Sequence, residues 1–98
     1  MTIEVKRNAQ EVVLQPYGLL DTTTAPVLEK TINENIQDIT MLVLDFKNLQ
    51  YISSAGLRVL LTAQKKMQQV GSMKVRNVCE GIMDVFEMTG FVDVLTIE

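Results

Sequence analysis

The sequence predicts an α/β fold, a mixed β-sheet with packed helices whose elements follow the order β-β-α-β-α-β-α-β. Two kinds of hydrophobic spacing alternate along the chain: short β-prone apolar runs, and longer segments whose apolar residues recur every three or four positions. Glycines and prolines fall singly at the edges of these segments, and no linker or repeat divides them. We therefore expect one small domain that spans residues 1–98.

The first two predicted elements are the strands of an N-terminal hairpin. Residues 2–6 alternate weakly between apolar and polar side chains, and residues 11–15 form a second short β-prone run. The four residues between them, Arg7-Asn8-Ala9-Gln10, suit a tight turn.

An amphipathic helix is predicted next. Leu28, Ile32 and Ile36 lie at positions i, i+4 and i+8, with charged and amide side chains between them. Asp21 and the three threonines that follow it are candidate N-caps. Pro26 is tolerated in the first turn, because an N–H at that point has no intrahelical acceptor.

A buried strand and a second helix form the middle of the chain. Residues 41–46 are a near-continuous apolar run, typical of a strand that is buried on both faces, and we expect a central strand here. The second helix is predicted to begin at Ser53 or Ser54 and to end at Gly71. Its inward face comprises Leu57, Leu60, Leu61, Gln64 and Met67.

The C-terminal part predicts three more elements. Residues 72–78 have the pattern of a strand. A short helix follows that is marked by Ile82, Val85, Phe86 and Thr89 and closed by Gly90. Residues 91–97 are expected to form a last short strand or a tail. Helices that connect parallel strands pack on the sheet with a right-handed sense, which fits this order.

The composition excludes several classes of function. Apolar residues make up 47% of the 98 residues and charged residues 21%, which is typical of a globular domain. The net charge is −3 and the nine lysines and arginines are scattered, so we expect no nucleic-acid partner. The apolar runs are too short for membrane insertion. A single Cys79 and no secretory leader favour the cytoplasm.

Catalytic and cofactor chemistry has little support among the residues. The chain has no histidine and one cysteine, so it lacks the ligands of the usual zinc site and the base of a His-activated nucleophile. Its five glycines form neither of the common phosphate-binding loops. Asp21 and Asp45 could serve as an acid–base pair, but a solvated or helix-capping role is favoured for both. We expect a protein that is not an enzyme, with no catalytic residue, no metal ligand and no cofactor.

The serine doublet at the start of the second helix stands out. Serine is among the commonest N-cap residues, so one of Ser53 and Ser54 is expected to cap this helix. The other hydroxyl then lies exposed at the positive end of the helix dipole, where an added phosphate would meet free N–H groups. This position suits a serine that is modified reversibly.

Three motifs resemble one known family. The run from Leu42 to Leu61 contains V-L-D-F and then Y-I-S-S-A-G-L, and it resembles the signature of STAS domains, especially the D-S-S/T-G-L motif of anti-sigma factor antagonists. Residues 18–21 resemble the family's G-x-L-D, and residues 86–91 resemble its L-F-x-x-[ST]-G-L. The matches follow in the expected order over nearly the whole chain. The resemblance implies a STAS-like fold, with residues 1–98 as one STAS domain.

The resemblance implies a bacterial regulatory role. In such proteins the serine after the motif's Asp is phosphorylated by a serine kinase of the histidine-kinase-like ATPase fold, which is also the anti-sigma factor; aligned here, that serine is Ser54. The unphosphorylated antagonist captures the anti-sigma factor and frees the sigma factor. The phosphorylated form releases its partner, and a metal-dependent serine phosphatase resets it. Transcription would then be regulated by partner switching.

The motif also assigns partner contacts, with one departure from the family. Ser53 replaces the family's Asp and Ala55 replaces the following Ser/Thr, so a negative charge beside Ser54 is absent and Ser53 is the alternative phosphosite. Gly56 either lets a partner approach closely or serves helix packing. Asp21 matches the aspartate of G-x-L-D, which lies near the phosphosite loop in this family. The predicted partner-binding residues are Asp21, Ser53, Ser54, Ala55, Gly56, Leu57 and Arg58.

A second function remains open on the sequence alone. A STAS subunit of a membrane lipid or solute transport complex would dock on an ATPase without modification of any serine. The retained Ser54, together with Gly56 and Leu57, favours the antagonist.

Overall fold

A computed structural model describes residues 1–98 and contains five strands, three α-helices and one short 3-10 helix. The strands are β1 (Thr2–Asn8), β2 (Glu11–Leu20), β3 (Met41–Asp45), β4 (Leu49–Ile52) and β5 (Ser72–Arg76). The helices are α1 (Ala25–Asn35), α2 (Ser54–Gln68) and α3 (Glu80–Thr89), and the 3-10 helix is η1 (Phe91–Asp93).

The five strands form one mixed sheet, as the sequence predicts. The strand order is β1-β2-β3-β5, and β4 pairs with β2 as well. β1 runs antiparallel to β2, whereas β3, β4 and β5 join the sheet in parallel pairs. β3 has a neighbour on each side, so the prediction of an interior strand over residues 41–46 is confirmed, with its last residue outside the strand.

β2 is longer than predicted because it pairs first with β3 and then, along its second half, with β4. Its first residues, 11–14, pair with β3, and its last, 18–20, pair with β4 after a register shift between Gly18 and Leu19. Gly18 has φ 98°, a conformation that costs glycine little, and it lets the strand continue through the irregularity. The prediction of a strand that stops at Gln15 was therefore wrong.

Two further parts of the chain differ in detail from the sequence prediction. Residues 49–52, expected to lie in a loop, form β4, so one strand is added to the predicted order. The C-terminal segment follows the tail alternative, because it consists of η1 and a single bridge between Val75 and Ile97 rather than a full strand.

The second helix ends earlier than Gly71. Its last helical residue is Gln68, and Gly71 lies in the turn toward β5. A Cβ atom at Gly71 would collide with the backbone of Thr40, which approaches closely because the Thr40 carbonyl accepts the N–H of Ser72 at 2.9 Å.

The three helices and the sheet share one hydrophobic core. On β2, Val12 and Leu14 are fully buried in this core, while Val13 and Gln15 on the opposite face are only half-buried and Tyr17 is exposed. The sheet therefore has one face covered by helices and one more open face. The largest fully buried side chains include Phe46, Phe86, Leu20, Leu28, Leu42, Leu44, Leu60 and Met67. None of the helices has both the length and the apolar composition needed to span a bilayer.

Candidate phosphorylation and partner-binding site

The two strands that carry the motif residues end side by side. Leu20 of β2 is the register partner of Ile52 of β4, and the Leu20 carbonyl accepts a hydrogen bond from the N–H of Ser53 at 2.9 Å. Asp21 directly follows β2 and Ser53 directly follows β4, so both lie at the carboxyl ends of these two parallel strands. The structure thus brings together the two predicted motifs, G-x-L-D and S-S-A-G-L.

Ser53 takes the N-cap position of α2 but does not cap it with its side chain. Its backbone is extended, with φ −101° and ψ 177°, as expected of an N-cap residue. The hydroxyl oxygen makes no cap hydrogen bond and is buried with no hydrogen-bond partner in the protein. The prediction of the position holds, whereas the capping bond itself is absent.

Ser54 is the first residue of α2 and its side chain is exposed. Its hydroxyl forms no hydrogen bond within the protein. The N–H groups of the first helical turn have no acceptor inside the helix, and Ser53 leaves them uncapped. An oxyanion on Ser54 would therefore meet unpaired donors at the positive end of the helix dipole.

The four residues after Ser54 divide between the surface and the core. Arg58 is exposed and Ala55 is half-buried, while Leu57 is 8% exposed. Gly56 is buried, and a Cβ atom on it would lie within 3 Å of the side chains of Leu20 and Ile52. Close packing of α2 on the ends of β2 and β4 therefore gives Gly56 a structural role.

Asp21 is fixed in the turn between β2 and α1. Its Oδ1 accepts hydrogen bonds from the Thr23 hydroxyl at 2.8 Å, the Thr23 N–H at 2.9 Å and the Thr24 N–H at 3.1 Å. These bonds, that from the Thr23 hydroxyl above all, hold the pKa of the Asp21 carboxyl below its ordinary value. Asp21 thus keeps its negative charge beside the serine doublet and also orders the entry to α1.

A shallow groove of about 250 Å³ lies between the starts of α1 and α2. Its floor is apolar and its rim carries one charge of each sign, from Glu29 and Arg58. The remaining lining residues are Thr22, Ala25, Pro26, Ala55, Val59 and Thr62. Two of the predicted partner-binding residues, Ala55 and Arg58, therefore border a concave surface next to Ser54.

Asp45 has a role that the sequence did not reveal. It is 6% exposed, and its carboxylate accepts hydrogen bonds from Asn77 at 2.9 Å and from the N–H of Lys47 at 3.0 Å. Arg76, its register partner on β5, forms a 3.4 Å ion pair with it, and Gln15 donates a further bond at 3.3 Å. The expectation of a solvated or helix-capping Asp45 was wrong.

Burial and hydrogen bonding shift the pKa of the Asp45 carboxyl in opposite directions. Burial raises the pKa of the Asp45 carboxyl, but the bonds from Asn77 and Lys47 and the charge of Arg76 outweigh it, so the pKa lies below its ordinary value. Asp45 joins the ends of β3 and β5. An acidic residue that ends a buried strand was the available signal, since an ionised side chain there needs partners.

The whole chain matches a known family model. The model for the STAS domain matches residues 2–98. This chain belongs to the STAS domain family. The predicted resemblance is thereby confirmed, and the α/β fold with a mixed sheet agrees with solved STAS structures.

Individual relatives carry antagonist names. The anti-sigma-B factor antagonist of Bacillus subtilis is 29% identical over 98 residues, which cover 99% of this chain and 90% of that protein. An anti-sigma factor antagonist from Mycobacterium paratuberculosis superposes with a TM-score of 0.89 at 24% identity, covering 98% of this chain and 83% of that one. The phosphorylated form of the Bacillus cell fate determinant SpoIIAA superposes with a TM-score of 0.77 at 19% identity, covering 99% of this chain and 91% of that one. This STAS domain thus has bacterial relatives named as antagonists of anti-sigma factors.

Proposed function

We propose that this STAS domain is an anti-sigma factor antagonist that is controlled by reversible phosphorylation of Ser54. The observation that carries the proposal is the contrast within the serine doublet. Ser54 is exposed with an unbonded hydroxyl at the start of α2, while the hydroxyl of Ser53 is buried. A kinase reaches the first hydroxyl without unfolding the turn, but not the second.

The proposed partner is an anti-sigma factor that is also a serine kinase of the histidine-kinase-like ATPase fold. It binds the edge formed by Asp21 and residues 53–58, including the groove beside Arg58. A metal-dependent serine phosphatase removes the phosphate. The chain itself acts as substrate and binding module in the cytoplasm, and the catalytic groups belong to its partners.

Phosphorylation changes the charge of this edge far more than its shape. The phosphate adds roughly −1.5 to −2 charges beside the ionised Asp21. Arg58 lies at position i+4 from Ser54 on α2, the spacing at which helical side chains meet, so the phosphate draws the guanidinium toward itself and away from a partner. The uncapped helix start stabilises the added charge, which leaves the fold intact.

A phosphorylation assay with Ser53 as the matched control tests the site. The protein is incubated with ATP and its cognate ATPase-fold kinase, and intact mass and fragment mapping locate the phosphate. One phosphate on Ser54 is expected in the wild type and in Ser53→Ala, and none in Ser54→Ala. A phosphate confined to Ser53, or one that persists in Ser54→Ala, would contradict the assignment.

Calorimetric titration tests the switch. Loss of one well-paired contact to a buried charge costs on the order of 2 to 5 kcal/mol, so the phosphoprotein should bind the partner about thirtyfold more weakly or worse. Ser54→Asp should fall between the two, because a carboxylate carries less charge than a phosphate. Thermal melts of all three forms should coincide within a few degrees. Equal binding by the phosphoprotein, or weak binding explained by a melted domain, would refute the switch.

A further inference from the structure

The outer edge of β1 is an open strand edge. β1 pairs only with β2, so its other side has no strand partner. Its seven residues, Thr2–Asn8, pair with β2 without a register shift, and Val5 at their centre is 45% exposed. Such an edge presents free N–H and C=O groups in a row and is a template for pairing with another strand.

The turn between β1 and β2 determines which backbone groups face outward. Residues 9 and 10 form a two-residue turn that closes on the pair Asn8 and Glu11, and such turns close on a hydrogen-bonded pair. Every second residue of β1, counted back from Asn8, therefore bonds to β2. The residues between them, Ile3, Val5 and Arg7, direct their N–H and C=O groups to the open edge.

Glu4 and Lys6 lie on either side of Val5, so the charges of β1 are complementary to those of a second copy of β1 that runs in the opposite direction. If two copies of β1 pair antiparallel with Val5 facing Val5, all seven residues overlap, since Val5 is the middle residue of the strand. Glu4 of each copy then lies directly opposite Lys6 of the other, in a pair without backbone hydrogen bonds, where side chains approach most closely.

Other symmetric registers are worse. A two-fold axis at residue 4 would place Glu4 against Glu4, and one at residue 6 would place Lys6 against Lys6, both like-charge pairs that destabilise an antiparallel pair. An axis at Ile3 or Arg7 would shorten the overlap and lose the Glu4–Lys6 pairs. The register with Val5 facing Val5 therefore allows backbone hydrogen bonds, overlaps all seven residues and places opposite charges together.

We propose that two copies of this chain associate through β1 in this register, forming a two-fold symmetric dimer with one continuous ten-stranded sheet. The surface is isologous, because each copy offers the same residues to the other. The same charges disfavour strands that lack an acid opposite Lys6 and a base opposite Glu4, which the reversed copy of β1 provides.

The proposed dimer contact lies away from the surface formed by Asp21 and residues 53–58. β1 covers residues 11–17 of β2, whereas Asp21 and Ser53 follow the far end of β2 and β4. The dimer therefore does not depend on the proposed function, and Ser54→Ala or Ser54→Asp should associate as the wild type does.

Charge reversal tests the register. Sedimentation equilibrium from about 10 µM to about 1 mM covers the range in which so small an interface is expected to form. Glu4→Lys and Lys6→Glu each turn both cross-strand pairs into like-charge pairs, and each should weaken self-association about tenfold or more. An equimolar mixture of the two variants should form a heterodimer, because one chain then carries basic side chains at both positions and the other carries acidic ones. The double variant E4K/K6E should regain the homodimer.

Matched controls distinguish this register from a general charge effect. Lys47→Glu and Glu87→Lys make the same charge changes at other exposed positions and should leave association unchanged. Val5→Pro removes one outward N–H and should abolish the dimer, while thermal melts verify that every variant is folded. A wild type that stays monomeric throughout, or a mixture that associates no better than its components, would overturn the proposal. Self-association that survives all these changes would also overturn it, since another surface would then be responsible.

Discussion

Gly56→Ala should destabilise the protein even though alanine favours helices. The new Cβ atom would lie 2.8 Å from Cγ1 of Ile52, 2.8 Å from Cγ of Leu20 and 2.9 Å from Cδ2 of Leu20. Real Cβ atoms do not approach side chains this closely, so α2 or both neighbours must shift. Leu20 and Ile52 are 0% and 3% exposed, so both lie in the close-packed core, where shifts of side chains are costly.

The expected magnitude follows from two opposing effects. Overpacking of a close-packed core costs about 1 to 3 kcal/mol, and three short contacts place this site in the upper part of that range. Alanine regains about 0.5 to 1 kcal/mol over glycine in a helix. The net loss in the free energy of unfolding is about 1 to 2 kcal/mol, which lowers the melting temperature of a domain of this size by roughly 5 to 15 °C.

Gly81→Ala is the matched control for this experiment. Gly81 lies in α3, is exposed, and a Cβ atom there would meet nothing within 4 Å. This variant should gain about 0.5 to 1 kcal/mol, so urea unfolding should separate the two alanine variants by about 1.5 to 3 kcal/mol. In a double-mutant cycle with Leu20→Ala, the loss caused by Gly56→Ala should shrink, because two of the three atoms that the new Cβ meets are gone and only Cγ1 of Ile52 remains. A Gly56→Ala protein as stable as the wild type would show that the start of α2 is not tightly packed.

Two more substitutions test the polar groups near the ends of the parallel strands. Ser53→Ala should leave the free energy of unfolding unchanged or raise it by up to about 1 kcal/mol in urea titration, because the buried hydroxyl has no partner; a loss of about 1 kcal/mol or more would reveal a capping bond. Asp45→Asn should lower the free energy of unfolding by about 1 to 3 kcal/mol at pH 7, because the Arg76 ion pair and part of the hydrogen bonding are lost. Since the pKa of Asp45 lies below its ordinary value of 3.8, its contribution is complete above that pH and is lost as the pH falls through the folded-state pKa. Unfolding curves of wild type and Asp45→Asn should therefore converge in acid, and a constant difference from pH 7 to about pH 2 would exclude Asp45 as the cause.

The helices could be predicted from the sequence because each has a clear inward stripe. Leu28 and Ile32 of α1, and Ile82 and Phe86 of α3, are buried as their spacing predicts. Ile36, predicted on the same face as Leu28 and Ile32, instead follows the end of α1 and is half-buried. In α2 even Gln64, placed on the inward face by spacing alone, is buried. Local periodicity is sufficient here because a helix satisfies its own backbone hydrogen bonds.

The strands depended on partners that local patterns do not reveal. Residues 49–52 have two buried residues at the ends and two exposed ones between them, so they lack the alternation that marks a strand. Only pairing with β2 makes them one. In the same way Pro16 and Gly18 would end an isolated strand, yet β2 continues through both because β1 and β4 bond to it.

The candidate site was predictable in position but not in its bonding. Motif and capping rules correctly placed Asp21, Ser53 and Ser54 next to the starts of α1 and α2, although β4 was not predicted and β2 was predicted to end earlier. They did not reveal that the Ser53 hydroxyl is buried without a partner, nor that Asp45 is the centre of a hydrogen-bonded group. Both facts depend on the detailed packing of neighbouring elements, which a single sequence leaves undetermined.

The pairing of β2 with both β3 and β4 bears on how the chain folds. The β1–β2 hairpin joins near neighbours in sequence, but the bond that holds Ser53 to Leu20 closes a long stretch of chain, as do all the parallel pairs. Contacts of this kind form late, after the entropy of closing long loops has been overcome. The surface around Ser54 therefore exists only when segments distant in the sequence have been brought together. A partner that recognises this surface would bind only the folded chain, because without the bond from Ser53 to Leu20 the ends of β2 and β4 are not held together.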